Sequence, residues 1–239
     1  MVIDKLVEKE IKRAEEFANL GSVKAMEKHL KCALELFSGF EDDKDYKDLK
    51  NITRTIEKEG YLIGINVYLD KAKDYALKGD DSLMEKQLMM AGHCAYKVSI
   101  GIARDVSEIK RIGYSNALPE KIKKARIRAS KGDVSNMEKM IGKILKYADY
   151  IGGEILDNAL FQTEMIRVKG YHNSIDKSFY QAVKALEKGN KYYSKECILK
   201  AKEQSEKLDL FEHMNYFNKK LCEFKADSCE AQKIADMIL

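Results

Sequence analysis

Residues 72–91, AKDYALKGDDSLMEKQLMMA, read as the end of one helix, a Gly-Asp turn at Gly79, and the beginning of a second helix. Glycine readily adopts the left-handed conformation that ends many helices, and aspartate is a good N-cap for the helix that follows. A similar pattern surrounds Gly21, Gly132 and Gly189, so the four glycines are spaced by 58, 53 and 57 residues. This stretch therefore predicts a helical hairpin that the chain repeats four times.

An apolar stripe precedes each turn glycine, at positions fourteen, ten, seven and three residues before it. In the second copy the stripe consists of Ile65, Leu69, Ala72 and Ala76. A second stripe follows the glycine, at positions five, nine and twelve, which in this copy are Met84, Leu88 and Ala91. Steps of three and four residues place each stripe on one face of a helix. We name the segment before the glycine helix A and the one after it helix B.

The residue after each turn glycine is a good N-cap: Ser22, Asp80, Asp133 and Asn190. In the second and third copies a Ser-x-x-Glu capping box follows, beginning at Ser82 and Ser135, so helix B has two possible starts. A Glu-Lys pair after the helix B methionine recurs in three copies. We attribute it to the favourable placement of Glu near a helix N-terminus, with a repeated contact surface as the alternative.

A Gly-Tyr pair lies nineteen residues before each of the last three turn glycines: Gly60-Tyr61, Gly113-Tyr114 and Gly170-Tyr171. We expect helix A to begin at this pair, with a tight contact at Gly60-x-x-x-Gly64. The segment from a turn glycine to the next Gly-Tyr is long for one helix. We therefore expect helix B to kink or break near Gly39, Gly101 and Gly152-Gly153, with a loop over 38–48, SGFEDDKDYKD.

The fold class that follows is all-α: a single repeat domain, 1–239, of four units. Their approximate limits are 1–59, 60–112, 113–169 and 170–239. One proline, no tryptophan and a composition 45% hydrophobic and 34% charged suit such a fold. The fourth copy departs from the pattern, with Ser194 in place of methionine. It is followed by a predicted capping helix whose apolar stripe is Phe211, Met214, Phe217, Leu221 and Phe224. Packing within the chain is the preferred interpretation of this stripe, and a homodimer surface is the alternative.

The hairpin around Gly79 resembles a tetratricopeptide-type repeat. Ala72 and Ala91 stand where that family has small residues, Tyr75 and Leu88 where it has bulky ones, and the Gly-Asp turn matches its turn. The resemblance covers about 26 residues of each unit. The period of 53 to 58 residues is longer than the family's period of about 34. The resemblance implies an α-helical repeat protein of the kind used as an interaction scaffold.

Positive charge is concentrated in residues 104–131, where nine basic and three acidic residues give a net charge of +6 in a chain of net charge +4. The candidate binding residues are Arg104, Lys110, Arg111, Lys121, Lys124, Arg128 and Lys131. A basic face of this kind is typical of proteins that bind phosphate backbones or acidic partners. A solvated outer face of a lysine-rich helix is the simpler interpretation. Tyr114 is the one aromatic residue in the segment that is available for stacking on bases.

No catalytic, cofactor or metal motif accompanies these features, so we expect no cofactor, no metal and no enzymatic activity. The acidic run 41–48 lacks the central glycine and terminal glutamate of a calcium loop. His29 and Cys32 lie one turn apart, but two ligands do not make a site. The four histidines lack the Glu-x-x-His spacing of di-iron bundles. A helical enzyme or small-ligand binder is the third possibility for the function.

The expected location is the cytoplasm. The N-terminal residues carry acidic side chains throughout and no apolar signal core, and no apolar run approaches the roughly 20 residues of a membrane span. The five cysteines lack C-x-x-C spacing and are expected to be small buried thiols in a reducing compartment. The leading hypothesis is therefore a non-enzymatic scaffold for an unknown protein partner, without membrane association. Nucleic-acid binding through residues 104–131 is the alternative.

Overall fold

The computed structural model describes residues 2–36, 44–207 and 211–238, which form ten helices and no strand. The predicted all-α class is therefore confirmed. The helices are α1 (Val2–Asn19), α2 (Val23–Glu35), α3 (Lys44–Leu77), α4 (Asp81–Lys97), α5 (Ala103–Ser130), α6 (Val134–Ile151), α7 (Gly153–Glu187), α8 (Lys191–Glu206), α9 (Phe211–Asp227) and α10 (Cys229–Asp236).

The chain divides into two compact units, Met1–Ala117 and Leu118–Leu239, and the boundary falls inside α5. In the first unit α1 packs against α2 and α3, and α3 packs against α4. In the second unit α7 packs against α6, α8 and α9, and α10 contacts α7, α8 and α9. The single domain of four units predicted from the sequence stays a prediction.

Each of the four predicted turns ends its helix in the same way. In the second, the Gly79 amide donates to the Ala76 carbonyl at 3.1 Å, and the Asp80 amide donates to the Tyr75 carbonyl at 3.0 Å. This pair of bonds is the Schellman motif, and it recurs at Gly21, Gly132 and Gly189. All four glycines have φ between 62° and 76°, the left-handed region that L side chains rarely adopt. The predicted role of these glycines is confirmed.

The N-cap of helix B is the residue that directly follows the turn glycine. The side chains of Asp80, Asp133 and Asn190 each accept a hydrogen bond from the backbone amide three residues on, at 3.0–3.4 Å. Ser22 in the first copy makes no such bond. Ser82 and Ser135 lie inside the first turn of α4 and α6, so the alternative start at the capping box is wrong.

The two predicted stripes form the core. In the second copy Ile65, Leu69, Ala72 and Ala76 are all buried, together with the helix B residues that follow them. The alanine seven residues before the turn glycine is fully buried in all four copies. Three positions of the helix A stripe are only half-buried: Ile11, Ile122 and Leu186. Beside Leu186 the chain buries Ala185 instead.

Helix B ends where predicted in the middle copies, at Lys97 before Gly101 and at Ile151 before Gly152. Gly39 lies outside the described residues. The predicted start of helix A at Gly-Tyr is wrong, because α3, α5 and α7 run through this pair as helices of 34, 28 and 35 residues. The predicted loop 38–48 is also partly wrong. Residues 44–48 belong to α3, and the rest of that stretch lies outside the described part.

The glycine of each Gly-Tyr pair lies inside a helix, at a close contact with another helix. A Cβ on Gly60 would collide with the sulfur of Met26, and a Cβ on Gly113 would collide with that of Met84. Gly170 has the same relation to Met137. All three methionines are fully buried. The recurring methionine of helix B therefore contacts the recurring glycine of the next long helix.

The tyrosine after each glycine extends this contact. Tyr61 Oη donates to Glu27 at 2.6 Å, and Tyr114 Oη donates to Glu85 at 2.6 Å. Burial and the Glu27 carboxylate raise the pKa of Tyr61. In the third copy the carboxylate of Glu138 instead accepts three hydrogen bonds from Arg167, at 3.1–3.2 Å. The recurring glutamate thus has a specific partner in each copy, a buried tyrosine in the first two and the half-buried Arg167 in the third.

Asparagines tie the long helices to the preceding helix ends. Three residues after the glycine, Asn116 and Asn173 each donate from Nδ2 to a backbone carbonyl, of Ala76 and Ala129 respectively, at 3.0 Å. These carbonyls lie in the last turn of helix A and also accept the amide of the turn glycine, so the asparagine supplies each with a second hydrogen bond. The bonds fix the long helix against the turn.

The C-terminal stripe packs within the second unit. Phe217, Leu221 and Phe224 are buried in one cluster with Phe179 and residues of α8 and α10. The ring of Phe179 lies 5.7 Å from that of Phe217 and 6.0 Å from that of Phe224, between centroids. These three residues therefore pack within the chain, as the preferred interpretation of the stripe predicted, and are not exposed as a dimer surface. The side chains of Phe211 and Met214 lie outside the described ones.

Three alanine variants of the second unit separate the roles of its glycines. A Cβ on Gly132 would meet backbone atoms of Ser174 at 3.0 Å, whereas one on Gly189, in an equivalent turn, would meet nothing within 4 Å. We expect Gly132→Ala to lower the free energy of unfolding by about 3 kcal/mol and Gly189→Ala by about 1 kcal/mol. Gly142→Ala, in open space on α6, should raise it by up to about 1 kcal/mol. Urea unfolding followed by circular dichroism measures all three. Equal losses for the two turn variants would contradict the backbone contact.

The tyrosine–glutamate bond can be tested with a matched pair of variants. Tyr114→Phe removes the hydrogen bond to the exposed Glu85 carboxylate and should cost about 0.5–1.5 kcal/mol of unfolding free energy. Tyr171→Phe should cost less than about 0.5 kcal/mol, because Arg167 satisfies Glu138 there. The same urea titration applies. A larger loss for Tyr171→Phe than for Tyr114→Phe would show that the bond does not stabilise the fold.

Candidate interaction surfaces

The seven predicted binding residues all lie on α5 or directly after it, and the boundary between the two units divides them. Arg104, Lys110 and Arg111 belong to the first unit, where both arginines are exposed and Lys110 is half-buried. The remaining four belong to the second unit: Lys121, Lys124, Arg128 and Lys131. Each group is therefore considered by itself.

The four basic residues of the second unit form a stripe. Their spacing of three, four and three residues places them within an arc of about 80° on a helix that turns about 100° per residue. Lys124 forms an ion pair with Glu120 at 3.6 Å, and Arg128 forms one with Asp133 at 3.3 Å. Bonds from Asn136, with the Arg128 guanidinium close by, lower the pKa of Asp133. Part of the positive charge is therefore paired with carboxylates of the helix and of the turn that follows it. We call these four residues the basic stripe.

Arg126 lies on the other flank of α5. Its guanidinium donates to Gln162 of α7 at 3.2 Å, and Gln162 in turn donates to Asn158 at 2.8 Å. The segment's high charge density in the sequence is thus distributed over two sides of one helix. The basic stripe occupies one side, and the contact with α7 occupies the other.

The single aromatic residue of the basic segment does not serve for stacking. Tyr114 is 2% exposed and its hydroxyl is bonded to Glu85. Its ring belongs to the core contact of the first unit. The one aromatic residue that the basic segment offers for stacking is therefore not accessible to a base.

An apolar surface on the first half of α7 was not predicted from the sequence. Phe161 is 69% exposed and Met165, one turn further on, is 58% exposed. Ile155 and Leu160 are also exposed on this half of the helix. The buried face of the same stretch is formed by Ala159, Thr163 and Ile166. Phe161 and Met165 lie away from that face, and we call these two residues the α7 patch.

Two of the grooves in the described part of the chain are each lined mainly by one pair of helices. The first, about 450 Å³ in the first unit, lies between α1 and α3, with Asn19, Asn51 and Ile52 among its lining residues. The second unit has two adjoining cavities of about 510 and 320 Å³ between α7 and α9, the larger one reaching the start of α10. Both cavities are lined by Val183, Phe224 and Asp227, so they form one groove, which we call the α7–α9 groove.

Histidine and cysteine side chains form no metal centre among the described residues. His29 Nδ1 lies 2.6 Å from a Glu10 carboxylate oxygen, and its ring stacks on Phe17 at 5.3 Å. No group of three possible ligands occurs in the part of the chain that the structure describes. The expectation of buried thiols is right for Cys94 and Cys197. It is wrong for Cys222 and Cys229, which are exposed on the outer side of α9 and at the start of α10.

Comparison of the chain with protein-family models, with curated proteins and with solved structures gave no match. Within the described residues, none of the helices has the length and apolar character needed to cross a bilayer.

Proposed function

We propose that the chain consists of four variants of one helical hairpin and acts as a non-enzymatic, cytoplasmic scaffold for protein–protein interaction. The residues that recur between copies support the first part, because they face inward: the stripe alanines, the helix B methionines, and the glycines and tyrosines that they meet. Recurrence here serves packing. We therefore expect partner binding to depend on surface residues that differ between copies.

The α7 patch is the observation that carries the scaffold function. Phe161 and Met165 expose most of their apolar area, next to the polar Gln162, Asn158 and Arg126. Fully burying an exposed side chain of this size contributes about 1.5–3 kcal/mol each. Aromatic and methionine side chains at the centre, with amides and arginine around them, are typical of the composition of protein interfaces. A protein partner that covers this patch gains that energy.

A crosslinking experiment tests the scaffold function at this patch. A benzophenone amino acid replaces Phe161 in the full chain, and in a control it replaces Tyr192, which is exposed on α8. Irradiation in the cell of origin should give a discrete adduct from position 161 alone. Met165→Ser should reduce the yield of this adduct by at least four-fifths, since the Met165 side chain forms half of the α7 patch. The melting temperature should stay within about 2 °C, because both side chains are exposed. Identical adducts from positions 161 and 192, or none from either, would overturn the proposal.

Nucleic-acid binding is the second candidate, and the basic stripe favours it. Lys124, Arg128 and Lys131 are exposed on one side of α5. Phosphate contacts of this kind supply most of the non-specific affinity for nucleic acids, and they weaken steeply with salt. The stripe offers charge, but no exposed aromatic residue lies within it. It therefore suits the phosphate backbone rather than base recognition.

Fluorescence anisotropy with labelled 20-mer DNA and RNA distinguishes this second candidate. Lys124→Gln with Lys131→Gln should reduce the slope of log affinity against log salt by about 2, since two phosphate contacts are lost. The control is Lys143→Gln with Lys146→Gln, which removes the same charge from exposed positions on α6. Equal effects of the two double variants would show that the stripe is not a nucleic-acid site.

A further inference from the structure

The α7–α9 groove has an apolar floor. Phe179 and Phe224 are buried at its base, and Val183 and Leu186 are half-buried beside them. These side chains belong to the core cluster of the second unit. A ligand in the groove would therefore contact packed apolar surface rather than mobile side chains.

The dimensions of the groove match a short helix. Its lining residues on α7 run from Asp176 to Glu187, a distance of about 16 Å at 1.5 Å per residue. That length corresponds to three helical turns. Grooves between two helices commonly receive the apolar face of an amphipathic helix, through residues spaced by three, four and seven positions.

The rim of the groove is acidic. Five carboxylates and two ammonium groups line it, a net charge of −3 in a chain of net charge +4. The carboxylates are Asp176, Glu187, Glu223, Asp227 and Glu230, and the ammonium groups are Lys191 and Lys220. Lys184 on α7 lies with its Nζ 4.8 Å from the centre of the Tyr180 ring. With Lys184 included, the net charge is still negative.

Both ammonium groups of the rim are already paired. Lys220 lies 3.5 Å from Asp176 and 3.0 Å from Glu223, and Asp176 also accepts a hydrogen bond from Tyr216. Lys191 lies 2.8 Å from Glu230. By contrast, the carboxylates of Glu187 and Asp227, at the larger cavity, form no ion pair within the described residues. Lys184 interacts with Glu187 at a distance beyond a salt bridge.

We propose that the α7–α9 groove binds a basic amphipathic helix of a partner protein. The apolar face of that helix lies on Val183, Leu186 and Phe224, and its lysine or arginine side chains meet Glu187 and Asp227. Complementary charge accelerates association and rejects acidic partners. The inference rests on the proposed scaffold function and names the chemistry of one partner. It concerns a different surface from the α7 patch.

Anisotropy with designed peptides tests the groove in the full-length protein. The probe is a fluorescein-labelled 14-residue helical peptide with leucine on one face and lysine on the other. It should bind at least tenfold more tightly than a scrambled peptide of the same composition, which lacks the apolar face. A peptide with glutamate in place of lysine should not bind, since the rim would repel it.

Two charge-reversed variants locate the binding. Glu187→Lys with Asp227→Lys should weaken the lysine peptide at least tenfold. Glu154→Lys with Asp157→Lys, at exposed positions in the first turns of the same helix, should change its affinity less than twofold. All four side chains are exposed, so circular dichroism and melting temperature should be preserved.

Three results would overturn the groove proposal. The first is an equal effect of the two double variants on the affinity of the lysine peptide. The second is equal affinity for the scrambled peptide, as expected if only its charge mattered. The third is no binding of the lysine peptide at all. The crosslink from position 161 distinguishes the two proposals. If that adduct forms and the peptide fails, the groove is wrong and the scaffold function stands. If the peptide binds at the groove without the adduct, the scaffold function at the α7 patch is wrong.

Discussion

The contact between a methionine and a glycine inside the following long helix is the constraint on which the packing of α2 on α3, α4 on α5 and α6 on α7 depends. Only a residue without a Cβ lets the methionine sulfur approach the helix backbone so closely, as Met84 does at Gly113. The tyrosine that follows then reaches the glutamate beside the methionine. One contact thus sets how far helix B and the long helix are shifted along each other, and the apolar stripes form the rest of the interface between them.

Much of this fold could be predicted from spacing alone, because turns and stripes are local. Glycine at position 79 permits the left-handed conformation that ends a helix, and alanine at position 72 lets a neighbouring helix approach closely. The continuity of α3, α5 and α7 could not be predicted in the same way. An isolated glycine such as Gly113 reads as a helix boundary until its partner is known. That partner, Met84, is 29 residues away in sequence and belongs to another helix.

The candidate surfaces were less predictable, because they depend on which side of a helix a residue occupies within the tertiary fold. Residue spacing predicted a basic stripe of Lys121, Lys124, Arg128 and Lys131, but it could not show that Arg126 contacts Gln162 of another helix. Phe161 and Met165 read as ordinary apolar residues of an apolar helix. The sequence does place them on a different side of the helix from Ala159, Thr163 and Ile166. Only the packed structure, however, shows that no other part of the second unit covers them.

The unbroken passage of α3 and α7 through the Gly-Tyr pair has a mechanical consequence. Each is a rod about 50 Å long that contacts the preceding helix B along one part and begins the next hairpin with the other. No loop separates the two parts, so none can absorb a rotation or a bend between them. We therefore expect a displacement where α3 meets α2 to be transmitted along α3 to its contact with α4.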